Sequence, residues 1–129
     1  MTVKCLKNLE LDTLCKDTEL DNFLDKVTKT YKQDVEYHND LHGADVMQHC
    51  YYMLTTCGMR KTIGIDKLDC LSLIIAACCH DLGHDGFSNA YHVNAVTSRA
   101  IDSNDGAVQE TFHAAELFRI LAQDSYNFL

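Results

Sequence analysis

The chain has 129 residues, 47% hydrophobic and 23% charged, which is enough apolar material for one buried core and too much for a disordered polymer. A formal net charge of -8 excludes a nucleic-acid surface built on clustered lysine and arginine, and no apolar run is long enough to span a membrane. The start, MTVKCLKNLELD, lacks the continuous apolar core of a secretory signal, so the expectation is an intracellular, cytoplasmic protein.

Proline is absent, so helix boundaries must be read from caps and glycines. Residues 19–32 carry Leu20, Phe23, Leu24, Val27 and Tyr31 at helical spacing, and the acidic residues between Asp12 and Asp25 read as a solvated face. A second helix is expected over residues 44–57, with Val46, Met47, Cys50, Met53, Leu54 and Cys57 inward and Gly58 ending it. Asp66 can cap a third. From Cys70 to Cys79 only Ser72 is polar, as in a helix buried on nearly every side. A strand over residues 71–76 competes, but the length and the alanines favour helix. Gly83 and Gly86 mark a loop, Ser88 or Asn89 starts a short helix through Val96, and residues 107–122 are amphipathic. The class is all-α, a compact multi-helix single domain over 1–129.

Seven cysteines form no C-x-x-C pair, and several fall among apolar residues. They read as reduced thiols packed like small hydrophobes. Cys78 and Cys79 are adjacent, point to different helix faces, and are assigned to the core rather than to a metal.

The histidines carry the chemistry. His38 and His42 lie four apart in YHNDLHGADV, and His80 and His84 lie four apart in HDLGHDG, with Asp81 and Asp85 alongside. Spacing of four puts two side chains on one helical face, and imidazole with carboxylate is a common ligand set for divalent ions. His80 and Asp81 end the most apolar segment, where an unpaired carboxylate is costly and a metal or a dense hydrogen-bond network would satisfy it. An isolated His-Asp pair is more often a helix end bonded to nearby backbone; two such histidine pairs on separate helices favour metal. His49 and His92 read as surface or packing residues, and Tyr51 and Tyr52 as core or rim.

This His…His-Asp arrangement resembles the broad histidine–aspartate phosphohydrolase class. YHNDLHGADV followed by HDLGHDGFSN more specifically resembles the patterns Y-H-N-x-x-H-A-A-D-V and H-D-x-x-H-x-G-x-x-N of class I 3′,5′-cyclic nucleotide phosphodiesterase catalytic domains. NDGAVQETFH is similar to that family's N-D-x-S-V-L-E-N-H-H, so the resemblance covers residues 37–121. It implies that His42 and His80 bind a tightly held zinc ion and that Asp81 bridges it to a second ion, magnesium or manganese. It further implies that His38 is the general acid, that His84 lies near the water ligands, and that Asn89, Glu110 and His113 support the site by hydrogen bonds. Tyr37, Asn39, Ala44 and Asp45 match positions that hold the start of the helix, and Tyr37 is also the candidate substrate contact. The implied reaction is opening of cyclic AMP or cyclic GMP to the 5′-monophosphate by a hydroxide activated between two metals, in cyclic nucleotide signalling.

The departures are specific. Gly43 replaces an alanine, Asp85 stands where the family often has proline, arginine or threonine, and Phe112 replaces the first of two histidines. The family's remaining metal-binding aspartate, its purine-gripping glutamine and its aromatic clamp have no counterpart in these residues. The expectation is therefore part of a catalytic domain, without its C-terminal helices and inactive alone. The alternatives are another histidine–aspartate phosphohydrolase and a non-catalytic helical fragment that binds metal or a partner.

Overall fold

Eight α-helices and two single 3-10 turns make up the structure, a computed structural model that describes residues 1–129 throughout. In order they are α1 (Thr2–Asn8), α2 (Asp17–Thr30), α3 (Asp40–Thr55), α4 (Met59–Ile63), α5 (Lys67–Cys79), α6 (Asn89–Asn94), α7 (Ser98–Asp102) and α8 (Val108–Leu121). The 3-10 turns span Asp12–Leu14 and Asp124–Tyr126. The class is all-α, as expected. No helix is long and apolar enough to cross a membrane.

Helix α5 is the axis of the core. Its amino end is closed by a capping box, in which Asp66 accepts from the Asp69 amide and Asp69 accepts from the Asp66 amide. Seven of its residues are buried, including Cys70, Ile74, Cys78 and Cys79. Phe23 of α2, Met47 of α3 and Leu6 of α1 complete the same cluster with no exposure. Burying a side chain of this size contributes about 1.5–3 kcal/mol, so α5 cannot leave this setting cheaply.

Helix α3 begins four residues earlier than its apolar pattern. Asn39 caps it by accepting from the amides of Leu41 and His42, and its own amide group donates to the Val35 and Glu36 carbonyls. Two inward expectations fail: Met53 is 42% exposed and Cys57 is exposed, because the buried stripe runs through Gly43, Met47 and Leu54 instead. Cys5, Cys70, Cys78 and Cys79 are buried thiols.

The first turn of α3 lies against the last turn of α5. Gly43 makes this approach possible, since a β-carbon there would sit 2.8 Å from the Tyr31 hydroxyl oxygen and 3.0 Å from the Cys78 carbonyl oxygen. The Tyr31 hydroxyl donates to that same carbonyl at 3.0 Å. Before α8 the chain passes through Asn104, Asp105 and Ala107, all at positive φ, which turns it sharply enough to lay α8 beside the loop after α5.

Candidate metal centre

The close approach of α3 and α5 brings together residues 38 positions apart in sequence. His42 lies in the first turn of α3, and His80 and Asp81 directly follow α5. His42 Nε2 is 3.3 Å from His80 Nε2, and Asp81 Oδ2 is 3.3 Å from the first and 3.1 Å from the second. These three form a group that could hold a metal ion, with donor atoms all within 4.8 Å of one another.

The donor set fits a divalent ion on geometry as well as chemistry. Two ligands held about 2.0–2.1 Å from a tetrahedral ion are about 3.3–3.4 Å apart, close to all three separations here. His80 Nδ1 donates to the Ala77 carbonyl at 2.9 Å, which leaves Nε2 to present its lone pair. His113 adds an independent sign: Nδ1 donates to the Leu82 carbonyl at 2.8 Å, while buried Nε2 has no hydrogen-bond partner and lies 3.8 Å from Asp81 Oδ1. Two acceptors facing each other in a buried setting are suited to a cation or polar ligand between them.

Electrostatics follow the same pattern. When His80 Nε2 carries a proton in place of an ion, Asp81 accepts it, and this hydrogen bond, helped by the Ala77 carbonyl at Nδ1, holds the imidazole above its ordinary pKa against the opposing effect of burial. Burial pushes Asp81 upward, but His80 and the neighbouring imidazoles outweigh it and keep the carboxylate below its usual range. Burial lowers His113, and burial together with His38 lowers His84.

A cleft of about 390 Å³ opens beside Asp81, lined by His38, His84, Asn89, Gln109, Glu110 and His113 among others. His38 stacks on His84 with ring centres 4.0 Å apart and planes 15° apart. Asn89 Nδ2 donates to Glu110 at 3.0 Å, which lowers the Glu110 carboxyl, and Asn89 Oδ1 accepts from the Gln109 amide at 2.8 Å. Tyr37 is 64% exposed and rests its ring on His42, with centres 4.6 Å apart, at the edge of this group. The candidates His38, His42, His80, Asp81, His84, Asn89, Glu110 and His113 thus fall in one region, with Tyr37 at its edge. His49 is exposed on α3 and bonded to the Asp45 carbonyl, and His92 is buried between Asp85 and Thr97.

Sequence reading missed the layer behind the cleft. Asp85 accepts from Gln109 at 2.8 Å and pairs with Arg99 at 3.3 Å, and Arg99 donates to Gln109 at 2.6 Å. Their spacing in sequence carries no period that would have announced this cluster.

The sequence profile of the 3′5′-cyclic nucleotide phosphodiesterase family matches residues 37–129, most of the chain. The chain belongs to this family. It is 34% identical over its whole length to the 3′,5′-cyclic-nucleotide phosphodiesterase regA of Dictyostelium discoideum, covering 16% of that protein. It is 40% identical over 91 residues to the mouse high affinity cGMP-specific 3′,5′-cyclic phosphodiesterase 9A, covering 70% of this chain and 17% of that one. Its fold matches the crystal structure of the phosphodiesterase domain of a RhoPDE fusion protein from the choanoflagellate Salpingoeca rosetta. There the TM-score is 0.87 at 31% identity, covering 98% of this chain and 39% of that one. The phosphodiesterase-family chain therefore spans well under half the length of these relatives and of this solved domain.

Proposed function

We propose that residues 1–129 form one folded unit, the metal-binding part of a catalytic domain that hydrolyses 3′,5′-cyclic AMP or cyclic GMP to the 5′-monophosphate. The observation that carries this reading is the triangle of His42 Nε2, His80 Nε2 and Asp81 Oδ2, with sides of 3.1–3.3 Å, beside a cleft that His38 lines. Two divalent ions, zinc with magnesium or manganese, would supply charge neutralisation and a water of lowered pKa there, as paired metals do in phosphoryl chemistry.

The chain's own residues do the rest. His42, His80 and Asp81 would hold an ion, and Asp81 turns its other oxygen towards His113. His38, as imidazolium, donates its proton to the departing O3′ when the ring opens, a step worth about 10²–10⁴-fold. His84 fixes the plane of the His38 ring by stacking. Asn89, Glu110 and His113 hold the far wall of the cleft, and Tyr37 covers its rim beside His42. In an acidic protein the ions provide the local positive charge that an anionic phosphodiester needs.

The test is a chimaera in which residues 37–129 replace the matching stretch of the Dictyostelium relative. It should hydrolyse a cyclic nucleotide, while the 129-residue chain alone binds metal without turnover. His38→Ala should cut turnover by about 10²–10⁴-fold and keep both ions; Asp81→Ala should lose the second ion and nearly all turnover. A folded, metal-loaded chimaera that touches neither cyclic AMP nor cyclic GMP would refute the reading.

A further inference from the structure

Two of the positions where this chain departs from the family's pattern, Asp85 and Phe112, are linked through one residue, Arg99. Its Nη1 lies 3.3 Å from Asp85 Oδ2 and donates to Gln109 Oε1 at 2.6 Å, and its Nη2 donates to the Gly83 carbonyl at 3.2 Å. Its guanidinium carbon sits 3.5 Å from the centre of the Phe112 ring. Only 16% of this side chain is exposed, so one planar cation serves three oxygens and an aromatic face in a largely desolvated place.

These contacts fall on the loop that carries His84. Gly83 has φ +72° and lies so close to Phe112 that a β-carbon there would be 3.1 Å from the ring. Gly86 has φ +87°, and its amide donates to His84 Nδ1 at 2.9 Å. A backbone N–H can only donate, so Nδ1 must carry the lone pair and the ring proton must sit on Nε2. His84 is 8% exposed, stacked on His38 and, at 5.4 Å, on His113, so its orientation is passed to both.

We propose that Arg99 is a positioning residue: by gripping Gly83 and Asp85 it holds residues 83–86 so that the Gly86 amide fixes His84 as the Nε2–H tautomer stacked on His38. Held in this way, the His84 ring fixes the plane of the His38 ring 4.0 Å away. That this serves catalysis rests on His38 acting as the general acid; the tautomer and the grip do not. The competing arrangement is one in which Gln109 and His92, which also reach Asp85, hold the loop without Arg99.

Imidazole nitrogen NMR on the full chain labelled at histidine separates the two. The unaltered protein should show His84 with its proton on Nε2; a proton on Nδ1 overturns the proposal outright. Arg99→Met should give His84 a mixture of both tautomers and reduce the ring-current shift of His38, and Arg99→Lys should restore part of both. A folded Arg99→Met protein whose His84 signals match the unaltered ones overturns the role of Arg99. Should Arg99→Met fail to fold, Arg99→Gln takes its place, a shorter uncharged side chain that leaves Asp85 with Gln109 and His92: the same movement of His84 supports the grip, and unchanged signals reject it. If the signals move as expected while the chimaera hydrolyses no cyclic nucleotide, the proposed function fails and the positioning role stands.

Discussion

Restoring the family's alanine at position 43 should weaken this protein, although alanine is the better helix former. Gly43 lies inside α3, where replacing glycine by alanine is normally worth about 1 kcal/mol in favour of the helix. Here the added methyl would lie 2.8 Å from the Tyr31 hydroxyl oxygen, 3.0 Å from its ring carbon and 3.0 Å from the Cys78 carbonyl oxygen. Ordinary contact is about 3.4 Å or more, so the Tyr31 ring or the end of α5 must move by several tenths of an ångström. Tyr31 is 3% exposed and its hydroxyl donates to the same carbonyl, so neither partner has free space. Overpacking of this kind costs about 1–3 kcal/mol, and loss of the Tyr31 hydrogen bond costs about 1 more. The clash therefore outweighs the propensity gain, and Gly43→Ala should destabilise by about 1–3 kcal/mol, lowering Tm by roughly 3–15 °C. Urea unfolding followed by circular dichroism measures it. In a Tyr31→Phe background, which removes the closest atom, the same substitution should cost less by about 1 kcal/mol. Because the methyl would wedge α3 from α5, divalent-ion affinity should fall as well. A Gly43→Ala protein more stable than its parent, with unchanged affinity, would refute this packing account.

Asp85 gives a pH-dependent prediction. Burial raises its carboxyl, but Gln109, Arg99, the Phe87 amide and His92 outweigh that and hold it below its usual range. A carboxylate depressed in the folded state stabilises above its unfolded pKa and loses that contribution as pH falls below about 4. Asp85→Asn should therefore cost about 1–3 kcal/mol near pH 7, with the gap to the parent narrowing as pH falls below about 4, in urea titrations at each pH. A gap independent of pH would show that charge is not what Asp85 contributes. Asn39→Ala should cost about 1–2 kcal/mol through loss of the α3 cap, and should raise amide exchange at Leu41 and His42 above that in the rest of the helix. Uniform exchange changes along α3 would argue against a cap.

Much of this was legible in the sequence, and the failures have physical causes. Helix α5 was readable because a long apolar run follows an acidic cap, two signals that agree. Helix α3 was placed from residue 44 because periodic apolar residues start there, while its real first turn, Asp40–Gly43, leaves Leu41 exposed and is marked by the Asn39 cap. The four shortest helices carry too few residues to show a period; α6 was marked by Ser88, which caps it, α1 and α4 gave no other sign, and Thr97 caps α7 by accepting from the Ala100 amide, a weak signal that was available. Histidine spacing marked His38, His42, His80 and His84 as candidates, but their meeting depends on how closely α3 approaches α5 at Gly43. The support behind them, from Asp85 to Arg99 and Gln109, depends on a turn at positive φ through Asn104, Asp105 and Ala107, which no spacing rule encodes.

The most direct measurement is calorimetric titration of zinc into the metal-free 129-residue protein and its His42→Ala, His80→Ala and Asp81→Asn variants. The account predicts saturable binding to the unaltered chain and, for each variant that keeps its helical spectrum, an affinity lower by about 100-fold or more. Folded variants that bind zinc as tightly as the parent would contradict it.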